Sequence, residues 1–361
     1  MRIALFLLSF LLLLPAALAN VEEARLARAE AALPGLRAPF AGLLEELDRH
    51  PEQAEALGAQ GFAVGKAIAL AEGDDRPLYW FRLAGKARLR AAQLAPIAKD
   101  RYLHAFERAS RGISDIRFDD GIGKILITGF DPFFLDRNIG QSNPSGLAAL
   151  RLDGQIIAYQ GKQARIEAAL VPVRFADFDQ GLIETLLLPH YKDDGVDMVV
   201  TISMGRQDFD LERFPGRNRS AAAPDNLNVL TGASKEHPLA PRLHGKPLRG
   251  PEFVEFSLPV AAMVQTAPFP VHDNNKVGTL SGDLAPTSLA QLKGETSVSG
   301  AGGGYLSNEI SYRAIRLRNN LGSSVPSGHI HTPRISGYEK DKEIAIVEQI
   351  RAMLARSLAA L

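Results

Sequence analysis

Cysteine is absent from all 361 residues. The chain therefore has no disulfide framework, no thiolate metal site and no thiol nucleophile, whatever compartment it occupies. Net charge is absent too, 41 Lys and Arg side chains balancing 41 Asp and Glu. With no long basic run, this argues against a nucleic-acid partner held by phosphate neutralisation. Aromatic residues are few at 7%, and there is a single Trp. What is present, 46% hydrophobic and 23% charged residues, describes an ordinary globular protein rather than a disordered one. The length suggests about two domains and is ample for a buried core.

The amino terminus has the layout of a secretory signal. Arg2 precedes an apolar run from Ile3 to Leu14, and Pro15 then leads to Ala17-Leu18-Ala19 before Asn20. A membrane span needs about 20 apolar residues, so the run is too short for one. The expectation is cleavage after Ala19 (residues 1–19 being the signal peptide), a periplasmic or secreted product, and no stable membrane insertion once the signal is removed.

Residues 20–118 are rich in Ala, Leu, Glu and Arg at helical spacing, with Pro34, Pro51 and Pro77 as punctuation. They predict an all-α N-terminal region, its longest helix running from about Leu78 to Arg111, with Trp80 as a core or interdomain anchor. From Gly121-Ile122-Gly123 onward the pattern changes. Short β-type runs at 124–128, 156–159, 168–173, 198–203 and 296–299 alternate with helical stretches at 143–150, 178–188, 306–318 and 340–358. This predicts an α/β fold in residues 119–361, with a parallel-rich twisted sheet and helices on both faces. Residues 231–292, rich in Pro, Gly, Ser and His, read as an insertion of loops with few strands.

Four segments at strand ends carry chemistry. Phe130 and Phe133, in Gly129-Phe130-Asp131-Pro132-Phe133, can clamp a flat ring or sit as core aromatics under a turn. The loop after residues 198–203 contains Glu212, which can orient a base or form a solvated ion pair with Arg213. The segment Val298-Ser299-Gly300-Ala301-Gly302-Gly303-Gly304-Tyr305-Leu306-Ser307 reads as strand, glycine turn and helix start. Backbone N–H groups of Gly302, Gly303 and Gly304, with the helix N-terminus, suit an oxyanion. Ser307 is there either a nucleophile or an N-cap. These glycines match neither a dinucleotide fingerprint nor a Walker loop, so no cofactor is expected. In Gly328-His329-Ile330-His331-Thr332-Pro333 both imidazoles fall on one face of a strand, but no third ligand motif accompanies them and no metal is expected. One of the two can instead act as a general base toward Ser307.

From about Lys124 to Ile335 these segments, in this order, resemble the pyrrolidone-carboxylate peptidases (pyroglutamyl-peptidase I), cysteine peptidases that remove an N-terminal pyroglutamate. The resemblance rests on Ile125–Phe133 with Asn143-Pro144-Ser145, on Gly205-Arg206, Glu212-Arg213 and Pro224-Asp225-Asn226, on the glycine turn through Asn308, and on the histidine segment. It implies that position 307 attacks, that His331 is the base oriented by Glu212, and that Phe130 and Phe133 flank the pyrrolidone ring. It also implies that the glycine-turn amides hold the oxyanion. Two departures stand out: Ser307 occupies the position of the family's Cys, and Ala222 that of an arginine, with Arg217 and Arg219 nearby. The expected function is an exported hydrolase cleaving a pyroglutamyl or related amide, its partner a peptide or small amide, a homo-oligomer being compatible with the sequence. The alternative is an inactive family member that binds or scaffolds.

Overall fold

The computed structural model describes residues 20–361; the expected signal peptide lies outside the described residues. Five helices come first: α1 (Leu26–Ala32), α2 (Ala41–Arg49), α3 (Ala54–Glu72), α4 (Arg76–Ala91) and α5 (Pro96–Ala109). The single long helix expected from Leu78 to Arg111 is thus two. Its break falls at residues 92–95 because Pro96 cannot donate to the preceding turn and drives Ala95 to an extended conformation. Glycine lets these helices pack closely, since a Cβ on Gly61 would strike the Phe81 ring and one on Gly65 the Leu78 side chain.

The α/β part follows, with β1 (Gly123–Phe130), α6 (Pro144–Leu152), β2 (Ile156–Tyr159), β3 (Lys162–Val171), α7 (Phe175–Asp179), α8 (Leu182–Tyr191), β4 (Met198–Met204) and β5 (Phe209–Glu212). Next come β6 (Arg242–Leu243), β7 (Lys246–Pro247), α9 (Val260–Met263), β8 (Val271–Asn274), β9 (Val277–Thr279), β10 (Gly282–Leu284) and β11 (Ser297–Ser299). The chain ends with α10 (Leu306–Leu321), β12 (Ser327–Thr332) and α11 (Lys340–Ser357).

Seven strands form the main sheet in the order β2-β3-β1-β4-β12-β5-β8. The central pairs β3–β1, β1–β4 and β4–β12 are parallel, whereas β2 and β5 run antiparallel to their inner neighbours. Consecutive residues of the central strands enter opposite cores. Ile125, Ile127, Met198 and Val200 join one cluster with α6, α11 and the N-terminal helices. Leu126 and Val199 join the other, with α8 and α10. Each such side chain, taken wholly out of water, contributes about 1.5–3 kcal/mol, which fixes the strand register and places helices on both faces. The expected α/β class, with an all-α region before it, is what the structure has.

Three sequence expectations need correction. The strand expected at 296–299 is β11, and it belongs to a separate three-stranded sheet with β9 and β10 rather than to the main sheet. The helix expected at 178–188 is divided into α7 and α8 by Gly181, which takes a left-handed conformation (φ +83°). Glu212, read as part of a loop, ends strand β5. The signal for that strand was the alternation Phe209-Asp210-Leu211-Glu212, with Phe209 and Leu211 in the core.

The N-terminal helices share a continuous core with the sheet. Trp80 is buried against Leu135 of the loop after β1, as well as Ala29 and Leu83 of the helices. Buried charges tie the same two regions together. Asp131 accepts from Arg82 Nη1 and Arg111 Nη2, each at 2.8 Å, and Arg174 Nη2 donates to Glu107 at 2.5 Å. The Asp131 carboxyl is buried, which alone would raise its pKa, but the two guanidinium groups outweigh that and hold it below the usual range.

Candidate active site

The chain leaves β1 for β3 on one side and later returns to β4 on the other. In an open α/β sheet such a reversal opens a crevice beyond the strand carboxyl ends, where loops diverge. A small recess lies there. Phe130 from the end of β1, Phe133 and Asn143 from the segment that follows, Ser203 and Met204 from the end of β4, and Ser307 from the first turn of α10 all line it.

Each wall is braced. Phe130 stacks on Phe178, with ring centroids 6.2 Å apart and planes 12° apart. Phe133 is half-buried and leans on Phe134 at 4.7 Å. Asn143 caps α6: its Oδ1 accepts from Ser145 N–H at 3.1 Å while its Nδ2 donates to the Asp131 carbonyl at 3.0 Å. The Pro224-Asp225-Asn226 segment is the turn expected from sequence, and its work is structural. Asp225 Oδ1 accepts from the N–H groups of Leu227 and Val229, and Asn226 Nδ2 donates to the Pro132 carbonyl beside Phe133.

The glycine turn closes on itself. Gly303, at φ +90°, donates its N–H to the Gly300 carbonyl at 2.9 Å, and Gly300 donates back to the Gly303 carbonyl. The Gly303 amide expected to serve an oxyanion is therefore already engaged. Gly302 and Gly304 offer carbonyls inward, to Ser307 Oγ–H at 3.2 Å and to the N–H groups of Ser220 and Ala221. Ser307 is not the N-cap: Tyr305 is, and no side chain caps α10. Ser307 bonds backward to Gly302 instead, leaving the first-turn N–H groups of α10 as the donors facing this end of the helix.

The Glu212–His331 pair lies on adjacent antiparallel strands, β5 and β12. Glu212 is fully buried. Its Oε1 meets His331 Nδ1 at 2.5 Å, and its Oε2 accepts from Asn274 Nδ2 at 2.9 Å. Asn274 also donates to the Ala301 carbonyl at 3.1 Å, linking the carboxylate to the glycine turn. Arg213, next in sequence, points elsewhere and pairs with Asp273 at 2.5 Å and Glu255 at 3.3 Å. The ion pair weighed from sequence between Glu212 and Arg213 does not form, because neighbouring residues of a strand face opposite ways. Gly205 makes room for the imidazole, as a Cβ there would stand 2.6 Å from His331 Cβ.

His329 and His331 share one face, their rings edge to face at 4.9 Å. His329 is buried between Thr201 and Ser203, and burial, with His331 beside it, pushes its pKa well below the ordinary histidine value. Arg217 and Arg219 are both committed, to Glu252 and to Glu309 with Asp179 respectively. Of the residues named from sequence, the structure brings Phe130, Phe133 and Ser307 into one recess and joins Glu212 to His331. Asn143 and Asn274 were not assigned to the site. Asn143 stood within a quoted segment, while Asn274 lies in the stretch read as inserted loops.

The family model described as PA0049, C-terminal domain, matches residues 124–245 and 270–336. The chain belongs to this family. Its matched segments contain every site residue named above and leave out residues 246–269. A curated relative in the family's namesake, the uncharacterized protein PA0049 of Pseudomonas aeruginosa, is 28% identical over 370 residues, covering 78% of this chain and 67% of that protein. Among solved structures, a glutamate-to-valine variant of the pyrrolidone carboxyl peptidase of the hyperthermophile Pyrococcus furiosus superposes with a TM-score of 0.46 at 20% identity, over 66% of this chain and 99% of that one. A glutamate-to-isoleucine variant of the same protein gives 0.46 at 22% identity, with the same shares covered.

Proposed function

We propose that the chain is an exported hydrolase of pyroglutamyl-peptidase type, cleaving a pyroglutamyl or related amide with Ser307 as nucleophile, His331 as base and Glu212 as the group that orients the base. The observation that carries this reading is the buried carboxylate of Glu212 bonded to His331 Nδ1. A carboxylate there selects the tautomer with the proton on Nδ1, leaves Nε2 free to accept one, and steadies the imidazolium that results. Ser307 lines a recess with two phenylalanines that offer apolar faces to a small ring.

In the reaction, the Ser307 hydroxyl leaves the Gly302 carbonyl and adds through Oγ to the acyl carbon as its proton passes to His331 Nε2. The tetrahedral oxyanion draws on first-turn N–H groups of α10. The C–N bond then breaks, the departing amine takes the proton from His331, and water repeats the sequence to free the acyl group. A hydroxyl needs more help from its base than a thiol, which ionises near pH 8.5.

A pyroglutamyl-amide reporter, with the purified protein and its Ser307→Ala, Ser307→Cys and His331→Ala variants, tests the reading. Turnover by the native protein that falls at least about a thousandfold in both alanine variants is the expected result. Turnover unchanged in either one overturns the mechanism. A silent native protein that gains activity as Ser307→Cys supports the other reading, a binding protein with an intact pocket.

A further inference from the structure

One side chain of the N-terminal region ties together two loops on which the recess depends. Arg25, the residue before α1, is only 5% exposed, and a buried guanidinium requires acceptors for its N–H groups. It finds them on two separate segments of the α/β part. Nε and Nη2 donate to the two carboxylate oxygens of Asp136, at 3.0 and 2.6 Å, on the loop that carries Phe133. Nη1 donates to the Asn226 carbonyl at 2.6 Å and Nη2 also donates to Asn228 Oδ1 at 3.1 Å, both on the turn at 224–228. Asn228 Nδ2 completes the bridge by donating to Asp136 Oδ2 at 3.1 Å. Arg28, with an exposed side chain, bonds only to the first loop, at the Leu135 carbonyl and Asp136.

The turn that Arg25 holds is bonded in its own right to three walls of the recess. Asn226 Nδ2 donates to the Pro132 carbonyl, next to Phe133, and Asn226 N–H donates to the Val173 carbonyl, each at 2.9 Å. The Tyr305 hydroxyl donates to the Pro224 carbonyl at 2.8 Å. Phe133, Val173 and Tyr305 all line the recess. The reacting groups have further supports that Arg25 does not touch. The Gly304 carbonyl, just before α10, accepts from the N–H groups of Ser220 and Ala221, and His331 is held on β12 by Glu212 of β5.

We infer that Arg25 is a positioning residue for the recess, setting the turn at 224–228 against the Phe133 loop so that the apolar walls stand at the spacing a small ring requires. The inference deepens the amide-hydrolase reading and rests on it. A guanidinium is a rigid planar fork, so it fixes the separation and angle of its two loops, which a point charge cannot do. A wall that retreats by about 0.5–1 Å forfeits a quarter to a half of its dispersion contact with a bound ring. The helical region thereby supplies part of the site's shape without contributing a group to the chemistry.

The experiment follows the pyroglutamyl-amide reporter and the backbone amides of the turn together. Arg25→Ala is expected to raise KM by about tenfold or more while kcat changes by less than about threefold, the pattern of lost ground-state binding. Arg25→Lys keeps the charge but cannot bridge two loops, and is expected to stay about fivefold or more above the native KM. Asn228→Gly removes one arm of the bridge at a left-handed position that glycine accepts (φ +60°), and is expected to raise KM by about threefold, which keeps the test decisive should Arg25→Ala not fold. Hydrogen exchange at the amides of Asn226, Leu227 and Val229 is expected to be about tenfold faster in Arg25→Ala, with β1, β4 and α10 as protected as in the native protein. A kcat loss at unchanged KM, full rescue by lysine, or unchanged exchange in the turn overturns the inference and leaves the hydrolase reading intact wherever the native protein turns the reporter over. With a silent native protein, calorimetry on pyroglutamate takes the place of KM, the same factors being expected in Kd. If the native protein neither turns over the reporter nor binds pyroglutamate, the pyroglutamyl reading falls and the positioning role falls with it.

Discussion

Asn274 shows how a single amide can govern the site. Its Nδ2–H is the donor to Glu212 Oε2, from 62 residues away in sequence. Replacing it with Ala leaves one oxygen of a buried carboxylate without that partner, a loss of about 1.5–3 kcal/mol for a charged acceptor. Asn274→Ala is therefore expected to lower kcat/KM on the amide reporter by about tenfold to hundredfold, since 1.4 kcal/mol is a factor of ten. Asn274→Asp places a second carboxylate against Glu212 and should be worse than Ala; an Asp variant as active as the native protein would show that Asn274 does not act through Glu212. Gly300 governs the same region sterically. A Cβ there would overlap Asn308 Oδ1 and the Gly216 backbone nitrogen, so Gly300→Ala is expected to destabilise by about 1–3 kcal/mol in urea unfolding. At this scale Ser307, His331, Glu212 and the two phenylalanines were legible, because each sits in a short segment whose residue types announce chemistry. Asn274, the closed geometry of the glycine turn and the Ser203–His329–Thr201 chain were not, because each depends on partners brought together by the fold.

Among the elements, the central strands and α10 could be read from sequence, since an apolar run bounded by glycine or a 3.6-residue period is a local property. The break between α4 and α5 was local as well, with Pro96 as its signal. The short strand β5, between β12 and the edge strand β8, was concealed by Glu212, a charged residue buried at its end where sequence alone expects solvent. What no local pattern discloses is how the N-terminal helices meet the sheet. Arg82 of α4 and Arg111, just beyond α5, converge on Asp131, one residue after β1 and two before Phe133. Removing the carboxylate takes from buried Arg82 its carboxylate partner and from Arg111 one of two, Glu107 remaining at 2.8 Å, a loss of about 3–5 kcal/mol for a broken buried pair. Asp131→Asn is expected to lower the thermal midpoint and also to weaken pyroglutamate binding, since Asp131 fixes the start of the loop that carries Phe133. A variant that loses stability yet binds as the native protein does would separate the helical region from the recess.

Across the whole molecule, the joint between the N-terminal helices and the carboxyl-terminal helix carries a pH dependence of its own. Asp75, the N-cap of α4, accepts from Asn143 N–H through Oδ2 at 3.1 Å, and Glu343 of α11 accepts from Ser142 Oγ–H at 2.6 Å. Each has a buried second oxygen, Asp75 Oδ1 and Glu343 Oε2, without a hydrogen-bond partner in the described structure. Burial raises both carboxyl groups, Glu343 to about 7 and Asp75 well above its ordinary value, and for Asp75 the charges of Glu343 and Asp74 add to it. The hydrogen bonds that Glu343 accepts from Ser142 and from Glu339 N–H, and the charge of Arg76 beside both groups, offset this only in part. A folded pKa above the unfolded one means that the native state holds a proton the unfolded chain has released. Stability from this group is then full at pH values below the ordinary glutamate pKa and declines as pH rises toward 7. Glu343→Gln keeps an oxygen for Ser142 and supplies a permanent donor in place of the titrating proton. The variant is expected to melt a few degrees above the native protein at pH 8 and within about one degree of it at pH 4. A difference that is the same at both values would mean that Glu343 remains ionised in the fold. Because Asn143 both lines the recess and donates its N–H to Asp75, the same titration is expected to reach the site: pyroglutamate affinity of the native protein should fall between pH 6 and pH 8 more steeply than that of Glu343→Gln.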